Sequence, residues 1–156
     1  MVITTVTGYF RSFDGTVETA DDLDFSKAKV AFSADTASID TNQADRDGHL
    51  KSADFFDTEN HPAITFTSTS LEKKSDDEFV LNGDLTIRGV TQPVKLNVEF
   101  GGTVTDPYGN FKAGFEVTGK ISRKAFGLTW SAVTEAGAVV VSDDVKIHAN
   151  VQFVKQ

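Results

Sequence analysis

The sequence predicts an all-β domain carrying one short helix, and three observations carry that prediction. Apolar and polar residues alternate with period two across most of the chain, the pattern of half-buried strands. Turn chemistry punctuates the alternation, most clearly at Asp106-Pro107-Tyr108-Gly109, with Asp first, Pro second and Gly fourth as a type I turn prefers. Helical signals appear in one stretch only, Gln43 to Ser52.

The strands follow in order. Val2 to about Glu18 is rich in β-branched and aromatic residues and reads as a curved first strand, interrupted at Gly8 and Gly15. Lys29 to Asp35 places Val30, Phe32 and Ala34 on one face, and Ile64, Phe66 and Ser68 alternate with Thr65, Thr67 and Thr69. Lys73 to Glu78 reads as a charged loop. Asn82-Gly83 has the look of a type I′ hairpin, yet Phe79, Leu81, Gly83, Leu85 and Ile87 keep one alternation, so a single strand is predicted. Arg88 to Pro93 reads as a connection, with Pro93 starting the next strand where no ladder N–H is required. Val94, Leu96, Val98 and Phe100 form its apolar face. Phe111, Ala113, Phe115, Val117 and Ile121 share the next face, across the turn at Asp106. Val145, Ile147, Ala149, Val151 and Phe153, opposite Lys146, His148, Asn150 and Gln152, form the cleanest strand.

The helix is predicted with Asn42 as its cap, Asp45 in the first turn and an Asp47–Lys51 pair at i,i+4. Its apolar face is narrow, Ala44 and Leu50, so it should lie over something. In Phe55-Phe56 two consecutive rings cannot share one side of a strand, so they are expected to plug an end of the sheet from a loop. One domain over residues 1–156 is expected, with about seven strands and the helix between the second and third. Such a sheet must close into a barrel or pair into a sandwich to cover its apolar face.

Composition narrows the function. The 156 residues are 39% hydrophobic and 24% charged, enough for a core, and the net charge of −8 argues against a nucleic-acid or anionic-membrane surface. Cysteine is absent, which excludes disulfides, thiol nucleophiles and cysteine metal sites. No apolar run is long enough to span a membrane as a helix, and MVITTVTGYF lacks the basic start and apolar stretch of a signal peptide. Thirteen Phe against two Tyr and one Trp give an aromatic interior nearly free of polar tips.

A search for catalytic chemistry finds little. His148 falls on a polar strand face and His61 precedes Pro62 in a loop. His49 shares a helical face with Asp45, which could begin a metal site, but the local sequence offers no third ligand and no HExxH. A hydrogen-bonded helix is the simpler reading. G-x-S-x-G, G-x-G-x-x-G and P-loop patterns are missing. Arg123-Lys124 near Trp130 would suit a cation–π contact or a ligand head group, with a structural surface role the more common outcome. Small inward residues, Ala34, Ser68, Gly83, Ala113, Gly119 and Ala149, share faces with Phe32, Phe66, Leu85, Phe115 and Val151. That mixing fits either an apolar pocket or the packed taper of a barrel.

Ala44-Asp45-Arg46-Asp47-Gly48-His49-Leu50-Lys51-Ser52-Ala53-Asp54-Phe55-Phe56, continuing to His61-Pro62-Ala63-Ile64-Thr65-Phe66, closely resembles the signature of the YceI-like family of polyisoprenoid-binding proteins. Gly83 to Thr91, Asp106 to Gly114, and Ile121-Ser122-Arg123 through Phe126-Gly127-Leu128-Thr129-Trp130 agree in order. The resemblance implies a lipocalin-like antiparallel β-barrel of about eight strands around an elongated apolar tunnel. It also implies a long isoprenoid tail or similar amphiphile as ligand and export to the periplasm, in a family for which no catalytic activity is established as a class; no cofactor or metal is expected. Family members normally carry another strand before the segment matching Val2 to Phe13, so an open barrel is expected here, one that pairs with a second copy or leaks.

The resulting expectation is a non-enzymatic carrier or store for a polyprenol, a quinone tail or a similar lipid, with no nucleic-acid partner. Expected tunnel-wall residues are Phe32, Ile64, Phe66, Leu85, Ile87, Leu96, Val98, Phe115, Val117, Ile147 and Val151, with Phe55, Phe56, Phe126 and Trp130 at the barrel ends. Ordinary core packing is the competing role for each. An interaction module with a solid core, or a lipid-modifying enzyme using His49, are the rival functions. Composition leaves periplasmic, secreted and cytoplasmic locations open.

Overall fold

The computed structural model describes residues 7–18, 28–128 and 143–154. Nine strands occur among them: β1 (Tyr9–Phe10), β2 (Phe13–Glu18), β3 (Lys29–Asp35), β4 (Ile39–Asp40), β5 (Ala63–Lys73), β6 (Glu78–Ile87), β7 (Val90–Thr105), β8 (Phe111–Ser122) and β9 (Asp144–Val154). One helix, α1 (Ala44–Lys51), lies between β4 and β5. Seven strands form one antiparallel meander in the order β2-β3-β5-β6-β7-β8-β9, and β1 pairs with β4 in a small separate sheet. The large sheet curls so that its two edge strands approach: a Cβ on Gly15 of β2 would stand 3.3 Å from the Phe32 ring and 3.6 Å from the Phe153 ring of β9. The result is a curled half-barrel, its edges β2 and β9 unpaired with each other among the described residues.

The alternation read in the sequence sets this register. Phe32, Phe66 and Leu85 stand opposite one another across β3, β5 and β6, and Phe100, Phe115 and Val151 do so across β7, β8 and β9. Asn82-Gly83 lies inside β6, as the unbroken alternation required. The two-residue hairpin is found instead at Arg88-Gly89, where both residues have positive φ (51° and 75°) and Ile87 pairs directly with Val90. The expected connection of 88–93 is therefore only two residues long, and Pro93 sits within β7. There β7 pairs with β6 alone among the described residues, so proline occupies an edge position.

The first segment breaks at Arg11-Ser12 and runs on through Gly15, while Gly8 stands just before β1. The Ser12 carbonyl accepts from the Asp35 N–H (2.9 Å), while the Arg11 N–H donates to the Ser38 carbonyl (3.1 Å) and its side chain pairs with Asp40 (3.0 Å). These bonds turn β1 away onto β4. The turn at 106–110 is as predicted: the Gly109 N–H donates to the Asp106 carbonyl at 3.0 Å.

Helix α1 departs from its predicted cap. Asn42 adopts a left-handed conformation (φ 64°), and Gln43 is the capping residue, without a side-chain cap bond. The helix start is fastened from behind: Asp47 accepts from the Thr41 N–H (2.9 Å) and from the Thr41 hydroxyl, and Arg46 donates to the Thr41 carbonyl (2.7 Å). Asp47 thus serves Thr41 where Lys51 was expected. No residue of α1 is buried, in keeping with its narrow apolar face.

Candidate functional site

The inner face of the curled sheet is lined by the alternating apolar residues, and it divides into two walls. On β5, β6 and β7 the inward residues Ile64, Phe66, Phe79, Leu81, Leu85, Ile87, Leu96 and Val98 are buried, each with less than a tenth of its surface exposed. On β8 and β9 the inward residues Phe115, Val117, Ile147, Val151 and Phe153 are only half-buried, as are Val30 and Phe32 on β3, Leu71 on β5 and Val94 and Phe100 on β7, whereas Ala113 and Ile121 on β8 are buried. All of these residues are apolar. Phe100, Phe115 and Phe153 form a run of rings with centroids 5.3 and 6.1 Å apart.

One end of the half-barrel is plugged. The loop after α1 carries Phe55 into the core and sets Phe56 edge-on against Phe10, with centroids 5.8 Å apart. Arg88, in the β6–β7 turn, donates to the Phe55 carbonyl (3.1 Å) and locks the loop in place. A 3-10 turn over Arg123–Phe126 closes the same end, where Phe126 is 1% exposed. Arg123, expected at the surface, is buried: its guanidinium donates to the Leu128 carbonyl (2.6 Å) and its N–H to the Asp143 carbonyl (3.0 Å). The Ser122 hydroxyl and the Lys124 N–H donate to the Asp143 carboxylate and hold its pKa below the usual range. Trp130, and with it the expected contact to Arg123-Lys124, lies outside the described residues. At the opposite end Ala28 and Ala113 pack with Val17, Leu71, Phe100 and Phe115.

Eleven expected wall residues therefore lie on this one inner face, and Phe55, Phe56 and Phe126 lie at its plugged end. The sequence reading did not include Phe79, Leu81, Phe100 and Phe153 among the wall residues, although each continues an alternation already visible in its strand. Arg123 gave no signal: a buried arginine in a turn looks like a surface one in sequence.

Among the described residues the titratable groups do not converge. His49 faces Asp54 (Nε2 to Oδ2, 2.9 Å) and not Asp45, and its ring stands edge-on to Phe55. His148 is exposed and 3.5 Å from Glu116. The carbonyl of His61 accepts from the Thr36 hydroxyl (2.9 Å). No group of three or more His, Asp or Glu residues able to hold a metal occurs among the described residues. On the outer face lies a shallow depression of about 210 Å³, lined by Lys74, Glu78, Asn97, Glu99, Glu116 and Thr118 together with Phe79 and Val98. Its two apolar members, Phe79 and Val98, are also residues of the inner wall. No described helix is long and apolar enough to cross a membrane.

A curled antiparallel meander with an apolar inside and a plugged end is the frame of the lipocalin-like barrels. The chain belongs to the YceI-like domain family, whose model matches residues 1–153. It is 44% identical over 149 residues to Protein YceI of Escherichia coli O157:H7, covering 96% of this chain and 74% of that one. A UPF0312 protein of Pectobacterium atrosepticum is 43% identical over 149 residues, covering 96% of this chain and 73% of the relative. Among solved structures, the Campylobacter jejuni YceI protein superposes with a TM-score of 0.83 at 30% identity, over 98% of this chain and 86% of that one. Burkholderia cenocepacia BcnA shares the fold, with a TM-score of 0.79 at 22% identity over 94% and 86% of the two chains.

Proposed function

We propose that this protein is a non-enzymatic carrier or store for a long-chain isoprenoid lipid, held along the inner face of the half-barrel and acting in the bacterial periplasm. One observation carries the reading: Phe115 and Val117 of β8 and Ile147, Val151 and Phe153 of β9 keep accessible surface on the inner face, while Ile64, Phe66, Phe79, Leu81, Leu85, Ile87, Leu96 and Val98 of β5–β7 are buried. Apolar surface left uncovered on the inside of a curled sheet is surface a lipid chain can cover. Each buried methylene contributes about 0.8 kcal/mol, so a long tail binds by length and shape without a polar clamp. The family membership and the absence of converging titratable groups among the described residues support the same reading. The binding residues are Phe32, Phe115, Val117, Ile147 and Val151 along the accessible wall. Ile64, Phe66, Leu85, Ile87, Leu96 and Val98 lie behind the chain, and Phe55, Phe56 and Phe126 stop its end.

Native mass spectrometry of the protein purified without detergent, followed by organic extraction, tests the reading. A retained species of isoprenoid mass is expected, and the same spectrum reports whether a second copy covers the edges of β2 and β9. A bare protein mass, together with no uptake of added geranylgeraniol, overturns it.

A further inference from the structure

Two inward glycines on the sheet differ in what a side chain there would meet. A Cβ on Gly83 of β6 would collide with the Phe66 ring and come within 2.6 Å of the Thr67 carbonyl oxygen, so the spacing of β5 and β6 itself requires glycine. A Cβ on Gly119 of β8 would stand 2.5 Å from Cδ2 of Leu96, but no closer than 3.8 Å to any other atom, backbone included. The backbone at Gly119 is not among those with positive φ. Neither conformation nor strand spacing therefore demands a glycine at 119. What it permits is that Leu96, reaching across from β7, lies flat against the floor of β8.

Gly119 lies on the accessible wall, opposite Ile147 and two residues beyond Val117. We infer that Gly119 is a specificity-determining position: by carrying no side chain it keeps Leu96 off the path of the ligand, leaving the inner face clear for a methyl-branched chain. The inference rests on the lipid-binding reading above and names the feature of the lipid being read. An isoprenoid carries a methyl branch in every repeat and is thicker than a plain polymethylene chain. A wall with one leucine raised from it rejects the first and still passes the second.

The test compares geranylgeraniol with hexadecanol, which shares its main-chain length and lacks the branches, by radioligand binding to the full chain. In Gly119→Ala, geranylgeraniol is expected to bind about tenfold more weakly or worse, the scale on which an apolar pocket resolves a single methyl or methylene group. Hexadecanol binding should be little changed. The double variant Gly119→Ala/Leu96→Ala, which removes the displaced side chain, is expected to recover geranylgeraniol. A cooperative melt accompanies each measurement, and because only the end of a flexible side chain must move, Gly119→Ala should stay folded. Unchanged discrimination in a folded Gly119→Ala, an equal loss of both alcohols, or no recovery in a double variant that melts cooperatively overturns the inference while leaving lipid binding intact. Failure of the unsubstituted protein to bind either alcohol overturns the lipid reading itself, and the inference with it.

Discussion

The two walls of the half-barrel are built from apolar residues at the same period, yet the middle of β5–β7 is buried while Phe115, Val117, Ile147, Val151 and Phe153 on β8–β9 are only half-buried. On β5–β7 the inward side chains are covered by one another and by the plug: Phe66 lies across Gly83, and Phe55, Ile121, Phe126 and Leu128 join the same cluster. On β8–β9 the run Phe115, Val117, Ile147, Val151 and Phe153 faces the interior without comparable cover among the described residues. Alternation tells a chain which face to turn inward; it does not tell it how much will arrive to fill the inside. The first wall holds the fold together, and the second keeps apolar surface accessible.

Substitution separates the two roles. Phe66→Ala, in the buried wall, should destabilise the protein by about 3–5 kcal/mol, the range for removing a packed Phe. Its midpoint in urea should fall accordingly, whether or not lipid is present. Phe115→Trp, in the accessible wall, should change stability by less than about 1.5 kcal/mol, because Phe115 is only half-buried. It should nonetheless abolish retained lipid in the native mass spectrum. A stable Phe66→Ala, or a Phe115→Trp that unfolds or keeps its lipid, would break the division between the walls.

Much of this division was invisible in the sequence, for identifiable reasons. The alternations of β6 and β9 placed Phe79, Leu81, Gly83, Leu85, Ile87, Ile147, Val151 and Phe153 on one face, because a one-residue slip would have turned a whole apolar set outward; Val145, read onto that face, is 40% exposed, and Val80, of the opposite alternation, is buried. Phe55-Phe56 was legible as a plug because two adjacent rings cannot share a strand face. The cap of α1 was not, since Asn42 has the right chemistry for a cap and Asp47 fastens the helix to Thr41 instead. The Arg88-Gly89 turn was hidden because only one of its two positive-φ residues is glycine. Burial was hidden for a different reason. Whether Phe115 is covered depends on strands far away in sequence and on how tightly the sheet curls, and local spacing records neither.

The walls meet at the β7–β8 hairpin, and its turn carries the strongest electrostatic bias in the described chain. The Asn110 N–H, the Asn110 side chain, Lys112 and the Tyr108 N–H together lower Asp106 from 3.8 to about 2. A carboxylate with a depressed folded pKa stabilises the fold above its ordinary pKa. That contribution fades as pH falls from about 4 through about 2, when the folded state must also take up the proton. The hairpin joining the walls should therefore loosen in that window, seen as faster amide exchange at Tyr108 and Asn110. Asp106→Asn should remove this component of the acid response. An unchanged acid profile in the variant would assign it to Asp40 or Asp143, whose pKa values are also lowered.

The smallest effect lies on the outer face of the same junction. Glu78, Glu99 and Glu116 stand directly opposite one another across β6, β7 and β8, so Glu99 has a like charge on each side. Like charges in directly opposed positions are destabilising, and each such pair typically shifts stability by about 0.2–1 kcal/mol. Glu99→Gln relieves both pairs at once and should raise the melting temperature. Glu78→Gln relieves one and should raise it less, and Glu116→Gln less again because it also gives up the neighbouring His148 at 3.5 Å. High salt should shrink all three gains, since these carboxylates face solvent and are screened. None of the three side chains points inside, so lipid retention should be untouched. A change in retained lipid with Glu99→Gln would mean that the outer face of the buried wall helps set the curl of the sheet, and that the two walls are coupled through it.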